Sequence, residues 1–249
     1  MNFSPFYSFQ EIFRKCYLKL FYPWEYSFQK DKSLQWCRTQ AEDFKMWAQG
    51  LNPAVFEETE LFSQKILEEW KQISSSLPAG MGGGGFYALL YFITRIRKPL
   101  TVFETGVASG FSSRAFLEAI SKNGQGRLFS SDFPYLRIQD SAKYIGVMVP
   151  EYLKKNWTLY LKGDRKNLPL MVSDNPSIDI FHYDSDKSRS GRKWALSFLK
   201  KYFNAETIII MDDIQDNSFF MDFVRSNQYF FKVFHFEGKY CGLVSQISF

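Results

Sequence analysis

The chain has 249 residues, of which 45% are hydrophobic and 19% aromatic, and its formal net charge is +5. A chain of this length can bury a single large core and leaves little room for a second domain. Its three cysteines are widely spaced and odd in number, so a disulfide framework or a zinc site is not expected. No apolar stretch approaches the ~20 residues needed to cross a bilayer, and charged residues interrupt any signal-like segment near the start. We therefore expect a cytoplasmic protein with one main domain.

Residues 1–80 place apolar side chains such as Leu61, Ile66 and Trp70 at helical spacing, which predicts an N-terminal helical extension. Aromatic residues are dense from Phe3 to Tyr26. We expect them to pack on the domain or on a second subunit of a possible homodimer. The alternative is an interfacial amphipathic helix in peripheral contact with a membrane.

A segment rich in serine and glycine, residues 74–85, ends this extension and includes four consecutive glycines. Such a run predicts a linker. It is either a plain flexible connection or a backbone that closely approaches a ligand. The remainder, residues 81–249, is expected to form the main domain.

A short apolar strand, a glycine turn and a helix are predicted within residues 101–118. Gly106 and Gly110 permit a turn free of Cβ interference. Their Gly-x-x-x-Gly spacing lacks both the dinucleotide fingerprint Gly-x-Gly-x-x-Gly and the Gly-Lys-Ser/Thr end of a phosphate-binding loop. With Glu104 before the first glycine and Ser112 after the second, the pattern resembles the first motif of class I S-adenosylmethionine-dependent methyltransferases.

Two acids follow the next predicted strands, Asp132 after residues 126–131 and Asp164 after residues 157–163. A carboxylate suits a ribose diol or an exocyclic amino group because it is charged and accepts two hydrogen bonds. One acid after a strand is more often a helix N-cap or a solvated loop residue, but acids after three successive strands are a stronger signal. The resemblance implies that S-adenosylmethionine is bound by Glu104, Gly106, Gly110, Ser112, Asp132 and Asp164.

Two further buried strands are predicted to end in charged residues: Asp184 and Lys187 after the fourth, Asp212 and Asp213 after the fifth. The carboxyl ends of parallel strands meet at one edge of a sheet, so these side chains should converge near the glycine turn. Close carboxylates repel one another unless a cation lies among them. Oxygen ligands suit Mg²⁺, so we expect a metal site formed by Asp184, Asp212 and Asp213.

The pairing of Asp-x-Asp-Lys with a later Asp-Asp is similar to the metal-dependent catechol and caffeoyl-CoA O-methyltransferases. It also resembles the macrocin O-methyltransferase and cephalosporin-hydroxylase-like group. The chain departs from the second group at Lys187, where histidine is usual, and from the first at Asp213, where asparagine is usual. Asp216, Asn217 and Phe219 favour the second group. The resemblance implies that Asp184 serves catalysis together with Lys187 as the base.

The same resemblance, over roughly residues 81–249, implies an α/β, Rossmann-like class I methyltransferase fold. Its seven-stranded, mostly parallel sheet would be closed by a C-terminal antiparallel hairpin. Strand-like runs at residues 229–236 and 239–245, joined by Glu237 and Gly238, independently predict that hairpin. We expect structural roles for His182 and His235, because each lies within a strand-like run.

The sequence therefore predicts a methyltransferase, by resemblance an O-methyltransferase, that uses S-adenosylmethionine and Mg²⁺ on a small hydroxylated acceptor. A basic run, residues 187–201, is either a solvated helix face or an attractor for an anionic acceptor such as a phosphorylated, sulfated or carboxylated sugar. Nucleic acid is not expected, since no recognition motif accompanies the charge. The alternatives are a non-catalytic cofactor-binding or assembly protein and a metal-independent methyltransferase.

Overall fold

A computed structural model describes residues 5–78, 85–135 and 138–249, with side chains from residue 12 onward. Its centre is one sheet in the order β1-β7-β8-β6-β5-β2-β3-β4, in which every pairing is parallel except the two made by β8. The strands are β1 (Ala41–Glu42), β2 (Thr101–Thr105), β3 (Arg127–Ser131), β4 (Trp157–Tyr160), β5 (Ile178–Tyr183), β6 (Phe203–Met211), β7 (Phe230–Phe236) and β8 (Lys239–Ser245).

Ten α-helices are described, and most of them cover the two faces of this sheet. They are α1 (Pro5–Phe21), α2 (Trp24–Ser27), α3 (Lys30–Gln40), α4 (Phe44–Leu51), α5 (Pro53–Ile73), α6 (Tyr87–Arg97), α7 (Phe111–Asn123), α8 (Asp164–Asp174), α9 (Arg189–Leu199) and α10 (Phe219–Asn227).

Alternate residues of the central strands face two separate cores. Ile208 and Ile210 of β6 belong to the core shared with α4–α7, whereas Ile209 and Met211 face the core shared with α3 and α8–α10. Side chains of a strand alternate between the two faces of a sheet, so a strand covered on both sides must be apolar throughout. The uninterrupted apolar runs in the sequence have this cause.

The class I methyltransferase fold predicted from the sequence is confirmed, with eight strands in place of the expected seven. The additional strand, β1, pairs in parallel with β7 through Ala41 and Glu42. A strand of two residues shows no periodicity, which explains why the region before residue 80 appears wholly helical in the sequence. The N-terminal part therefore adds an edge to the sheet, and Phe62 and Ile66 of α5 enter the main core.

The C-terminal hairpin is also confirmed. Strands β7 and β8 are antiparallel, and Glu237 and Gly238 between them both have positive φ angles, 47° and 80°. Two positive φ angles are the geometry of a type I′ turn, whose twist matches that of the strands. Half of the predicted glycine-rich linker, residues 79–84, lies outside the described residues. Among the described helices, none is long and apolar enough to span a membrane.

Candidate active site

The glycine turn is pressed against the loop that follows β5. Gly106 has a φ of +85°, and a methyl group on it would lie 2.6 Å from the carbonyl oxygen of Asp184. Gly110 has a φ of +96° and begins α7. Only glycine tolerates both this backbone conformation and so close an approach of another chain segment. Gly106 is thus required where β2 packs on the loop after β5, whereas Gly110 is required where the start of α7 meets Gly146, whose Cα would lie 2.8 Å from an added methyl group.

Asp132, at the end of β3, holds the glycine turn in place. Its Oδ2 accepts hydrogen bonds from the N–H groups of Val107 and Ala108, at 2.9 and 2.8 Å, and its Oδ1 accepts one from Phe133 at 2.6 Å. Burial raises the pKa of Asp132 to about 6, although the three N–H donors act in the opposite direction. The buried carboxylate of Asp132 therefore holds the backbone of the glycine turn in position.

Asp164, at the start of α8, connects β3 with the loop after β5. Its carboxylate accepts hydrogen bonds from the hydroxyls of Ser131, at 2.7 Å, and of Ser185. Ser112 is buried in the first turn of α7. The turn residues, Asp132 and Asp164 therefore line one edge of the sheet, at the carboxyl ends of β2, β3 and β5.

Glu104, another of the predicted cofactor residues, lies inside the molecule near the carboxyl end of β2. It is fully buried, and its Oε2 accepts hydrogen bonds from the hydroxyls of Ser113, at 2.6 Å, and Ser130, at 2.7 Å. Its other oxygen, Oε1, lies 3.7 Å from Nδ1 of His182. Glu104 thereby connects β2 with α7 and β3.

Lys187 lies between two of the predicted acids. Its ammonium contacts Oδ1 of Asp184 and lies 2.9 Å from Oδ2 of Asp213. Burial lowers the pKa of Lys187, and the negative charges of Asp213 and Asp212 offset this only in part. The structure therefore brings the side chains of Lys187, Asp184 and Asp213 together, and the backbone of Asp184 lies against Gly106.

Asp212 is turned away from that group towards His182, whose Nε2 lies 3.7 Å from its Oδ2. Complete burial disfavours the charged forms of Asp212 and His182, but each group stabilises the charged form of the other. Asp212 and Glu104 raise the pKa of His182 to about 9, and His182 lowers that of Asp212 to about 2. Residues 104, 182 and 212 thus form a buried acid–histidine–acid row across β2, β5 and the end of β6, with nitrogen-to-oxygen distances of 3.7 Å.

This orientation bears on the expected metal site. Within residues 5–78, 85–135 and 138–249, no group of three acidic, histidine or cysteine side chains has an arrangement that could hold a metal ion. Asp184, Asp212 and Asp213 do not form the expected three-ligand site, since the carboxylate of Asp212 lies beside His182. The pair that remains, Asp184 and Asp213, already shares one cation, the ammonium of Lys187.

Two arginines that the sequence did not single out as site residues hold this region. Arg192, within the basic run, is buried and donates hydrogen bonds to the carbonyl oxygens of Asp212 and Asp213, at 3.0 and 2.9 Å. Arg14 of α1 lies 2.5 Å from Oδ2 of Asp186. Despite burial, Arg14 holds the pKa of Asp186 below its usual value. No local pattern reveals contacts between residues so far apart in sequence.

Comparison with known proteins agrees with this architecture. Residues 103–214 match the model of a family described as a methyltransferase domain, and none of the curated proteins matches the sequence. Similar folds include a methyltransferase from Geobacter sulfurreducens, with 19% identity, coverage of 74% of this chain and 89% of that one, and a TM-score of 0.56. An O-methyltransferase from Bacillus cereus in complex with S-adenosylhomocysteine has 14% identity, coverage of 84% and 99%, and a TM-score of 0.51.

A methyltransferase from Podospora anserina, bound to S-adenosylhomocysteine, gives 13% identity, coverage of 79% of this chain and 97% of that one, and a TM-score of 0.56. The matched segment runs from Phe103 in β2 to Ile214 just after β6 and so contains the glycine turn and the residues that follow β5 and β6. The fold is that of class I methyltransferases, and residues 103–214 carry the matched methyltransferase domain.

Proposed function

We propose that the chain is an S-adenosylmethionine-dependent methyltransferase that transfers the methyl group to a hydroxyl oxygen of a small acceptor, with Lys187 as the base. The observation that carries the proposal is the position of Lys187, whose ammonium lies between Asp184 and Asp213 where the glycine turn meets the β5 loop. A lysine held at this edge of the sheet, with its pKa lowered by burial, suits proton removal from a hydroxyl.

The cofactor in this proposal lies along the edge formed by Gly106, Gly110, Ser112, Asp132 and Asp164. The sheet holds donor and acceptor in line. The neutral amine of Lys187 takes the acceptor's hydroxyl proton as the oxygen attacks the methyl carbon. The bond from that carbon to sulfur breaks, its electron pair stays on sulfur, and S-adenosylhomocysteine leaves.

We further propose that Mg²⁺ binds between Asp184 and Asp213, in the place that the ammonium of Lys187 occupies. Mg²⁺ is held in proteins by one or two carboxylates and retains several waters, so this pair suffices as its protein ligands. A divalent cation there would lower the pKa of an acceptor hydroxyl. Its affinity is limited by Lys187, because metal and ammonium compete for the same carboxylate oxygens.

Calorimetry on the full chain tests the cofactor and the metal separately. We expect S-adenosylhomocysteine to bind without metal and NAD to give no heat. Mg²⁺ should bind the Lys187→Met variant more tightly than the wild type, and Asp213→Asn should weaken that binding. Absence of Mg²⁺ heat in both the wild type and Lys187→Met would leave a metal-independent methyltransferase.

We also propose that α1 contacts a second copy of the chain. Phe13, Tyr17, Leu20 and Phe21 lie on one face of this helix, and all four are exposed. Contiguous exposed apolar patches mark contact surfaces, and these positions carry no charge. Sedimentation equilibrium should show a dimer that Leu20→Glu dissociates. A wild-type chain that stays monomeric at all concentrations would contradict this.

The cysteines support a cytoplasmic location. All three, Cys16, Cys37 and Cys241, are free thiols, as is usual in a reducing compartment.

A further inference from the structure

A groove lies between α9 and α10, away from the glycine turn and the catalytic loops. It has a volume of about 360 Å³, within the range of small-molecule sites. Below, "the α9–α10 groove" means this space. Apolar side chains form its floor: Leu196, Phe203, Ile209, Phe219, Phe223 and Tyr229.

The aromatic residues of the floor form a continuous wall. The rings of Phe219 and Phe223 are stacked with centroids 5.9 Å apart, and Phe223 meets Tyr229 edge to face at 5.5 Å. Phe223 and Tyr229 are only partly buried. An apolar ligand body placed against them would remove further apolar surface from water, which favours binding.

The rim of the groove is cationic along α9. Arg189, Lys193 and Lys200 line it, and the one acid among the lining residues is Asp222. Arg189 and Asp222 neutralise each other, with a separation of 2.8 Å. Lys193 and Lys200 are exposed, and within the described part of the chain neither forms an ion pair with an acid. Lys193 lies in α9, and Lys200 directly follows the last residue of that helix.

We propose that the α9–α10 groove is a second ligand site, which binds an organic anion with an aromatic or apolar body and a phosphate, sulfate or carboxylate group. The aromatic wall receives the body, and Lys193 and Lys200 receive the charge. A solvated helix face would explain the lysines but not the partly exposed aromatic side chains that line the same groove. The residues of the basic run therefore lie in three different places. Lys187 lies between Asp184 and Asp213, Arg192 is buried, and Lys193 and Lys200 line the groove.

Naphthyl phosphate is a suitable probe, because it combines a flat apolar body with a phosphate, and naphthol is its uncharged counterpart. Calorimetric titration of the full chain should show naphthyl phosphate binding more tightly than naphthol. Lys200→Glu should weaken that binding about fivefold or more, by loss of one charge contact and gain of a repulsion. Lys201→Glu is the matched control. It makes the same charge change one residue away, at an exposed lysine that does not line the groove.

A second variant tests the location without altering charge. Ser197 lines the groove and is exposed, so Ser197→Trp should fill the space and abolish binding while the fold is retained. The proposal is overturned if Lys200→Glu and Lys201→Glu weaken binding equally, because the effect would then be that of net charge alone. It is equally overturned if Ser197→Trp binds normally, or if S-adenosylhomocysteine displaces the probe, which would place the probe in the cofactor site.

Discussion

Replacement of Gly106 by alanine tests the packing of the glycine turn on the β5 loop. The added methyl group would lie 2.6 Å from the carbonyl oxygen of Asp184 and 2.8 Å from its carbonyl carbon. These are backbone atoms, so no side-chain rotation relieves the contact. Either the turn or the catalytic loop must move by a substantial fraction of an ångström.

The magnitude follows from two contributions. Alanine at a φ of +85° costs about 1–2 kcal/mol in backbone strain. Relief of overpacking costs typically a further ~1–3 kcal/mol. We therefore expect Gly106→Ala to lower the free energy of unfolding by about 2–5 kcal/mol. A displacement of the catalytic groups near 1 Å can lower turnover by roughly 10²-fold.

Gly124→Ala is the matched control. Gly124 ends α7 with a φ of +71°, and a methyl group on it would meet nothing within 4 Å. It should lose only the strain contribution of about 1–2 kcal/mol and keep normal affinity for S-adenosylhomocysteine. Urea denaturation and calorimetry measure both quantities. Equal losses of stability in the two variants, with unchanged affinity in both, would refute a tight contact between the turn and the β5 loop.

Three further outcomes are expected. Lys187→Met should lower turnover about 10²–10⁴-fold while cofactor affinity stays within about twofold, and the control Lys201→Met should be unaffected. The turnover of the wild type should fall at lower pH, because Lys187 becomes protonated. Full turnover in Lys187→Met would exclude Lys187 as the base. The folded state raises the pKa of His182 from 6.5 to about 9, so this residue's contribution to stability is complete below pH 6.5 and is lost as pH rises through about 9. Urea midpoints across this range should fall in the wild type and stay flatter in His182→Gln, whereas parallel curves would deny a charged imidazole. Arg14→Met should detach α1 from Asp186, and limited proteolysis should then cut within residues 5–21 faster than in Lys19→Met; equal rates would mean that the ion pair does not hold the helix.

The sequence predicted those features of the fold that have a local cause. Apolar runs predicted β2, β5 and β6, and Glu237 with Gly238 predicted the hairpin. The strand β1 escaped prediction, because two residues that pair with β7 carry no periodicity of their own. Its pairing depends on where α3 and α4 lie, which is a property of the whole chain.

At the site, the sequence could indicate which acids reach the carboxyl edge but not what each one contacts. Asp132 and Glu104 both resemble cofactor ligands by spacing, yet one binds the N–H groups of the turn and the other binds two buried serines. A carboxylate accepts hydrogen bonds from the donors that lie nearest to it in the folded chain. Strand register determines which donors those are. Glu104 and His182 are direct neighbours across β2 and β5, which places them on the same face of the sheet.

The acids that follow β5 and β6 lie beside cationic groups. Asp186 has Arg14, Asp212 has His182, Asp184 has Lys187, and Asp213 lies 2.9 Å from Lys187 and 3.6 Å from Lys239. Because Lys187 lies between Asp184 and Asp213, a metal can enter there only as its ammonium leaves. Carboxylates near a lysine stabilise its charged form, so a lysine separated from them releases its proton more easily. Under the proposed function, the ammonium of Lys187 occupies the cation site until a metal displaces it, and the displaced lysine serves as the base. Lys187→Met should therefore raise metal affinity and lower turnover.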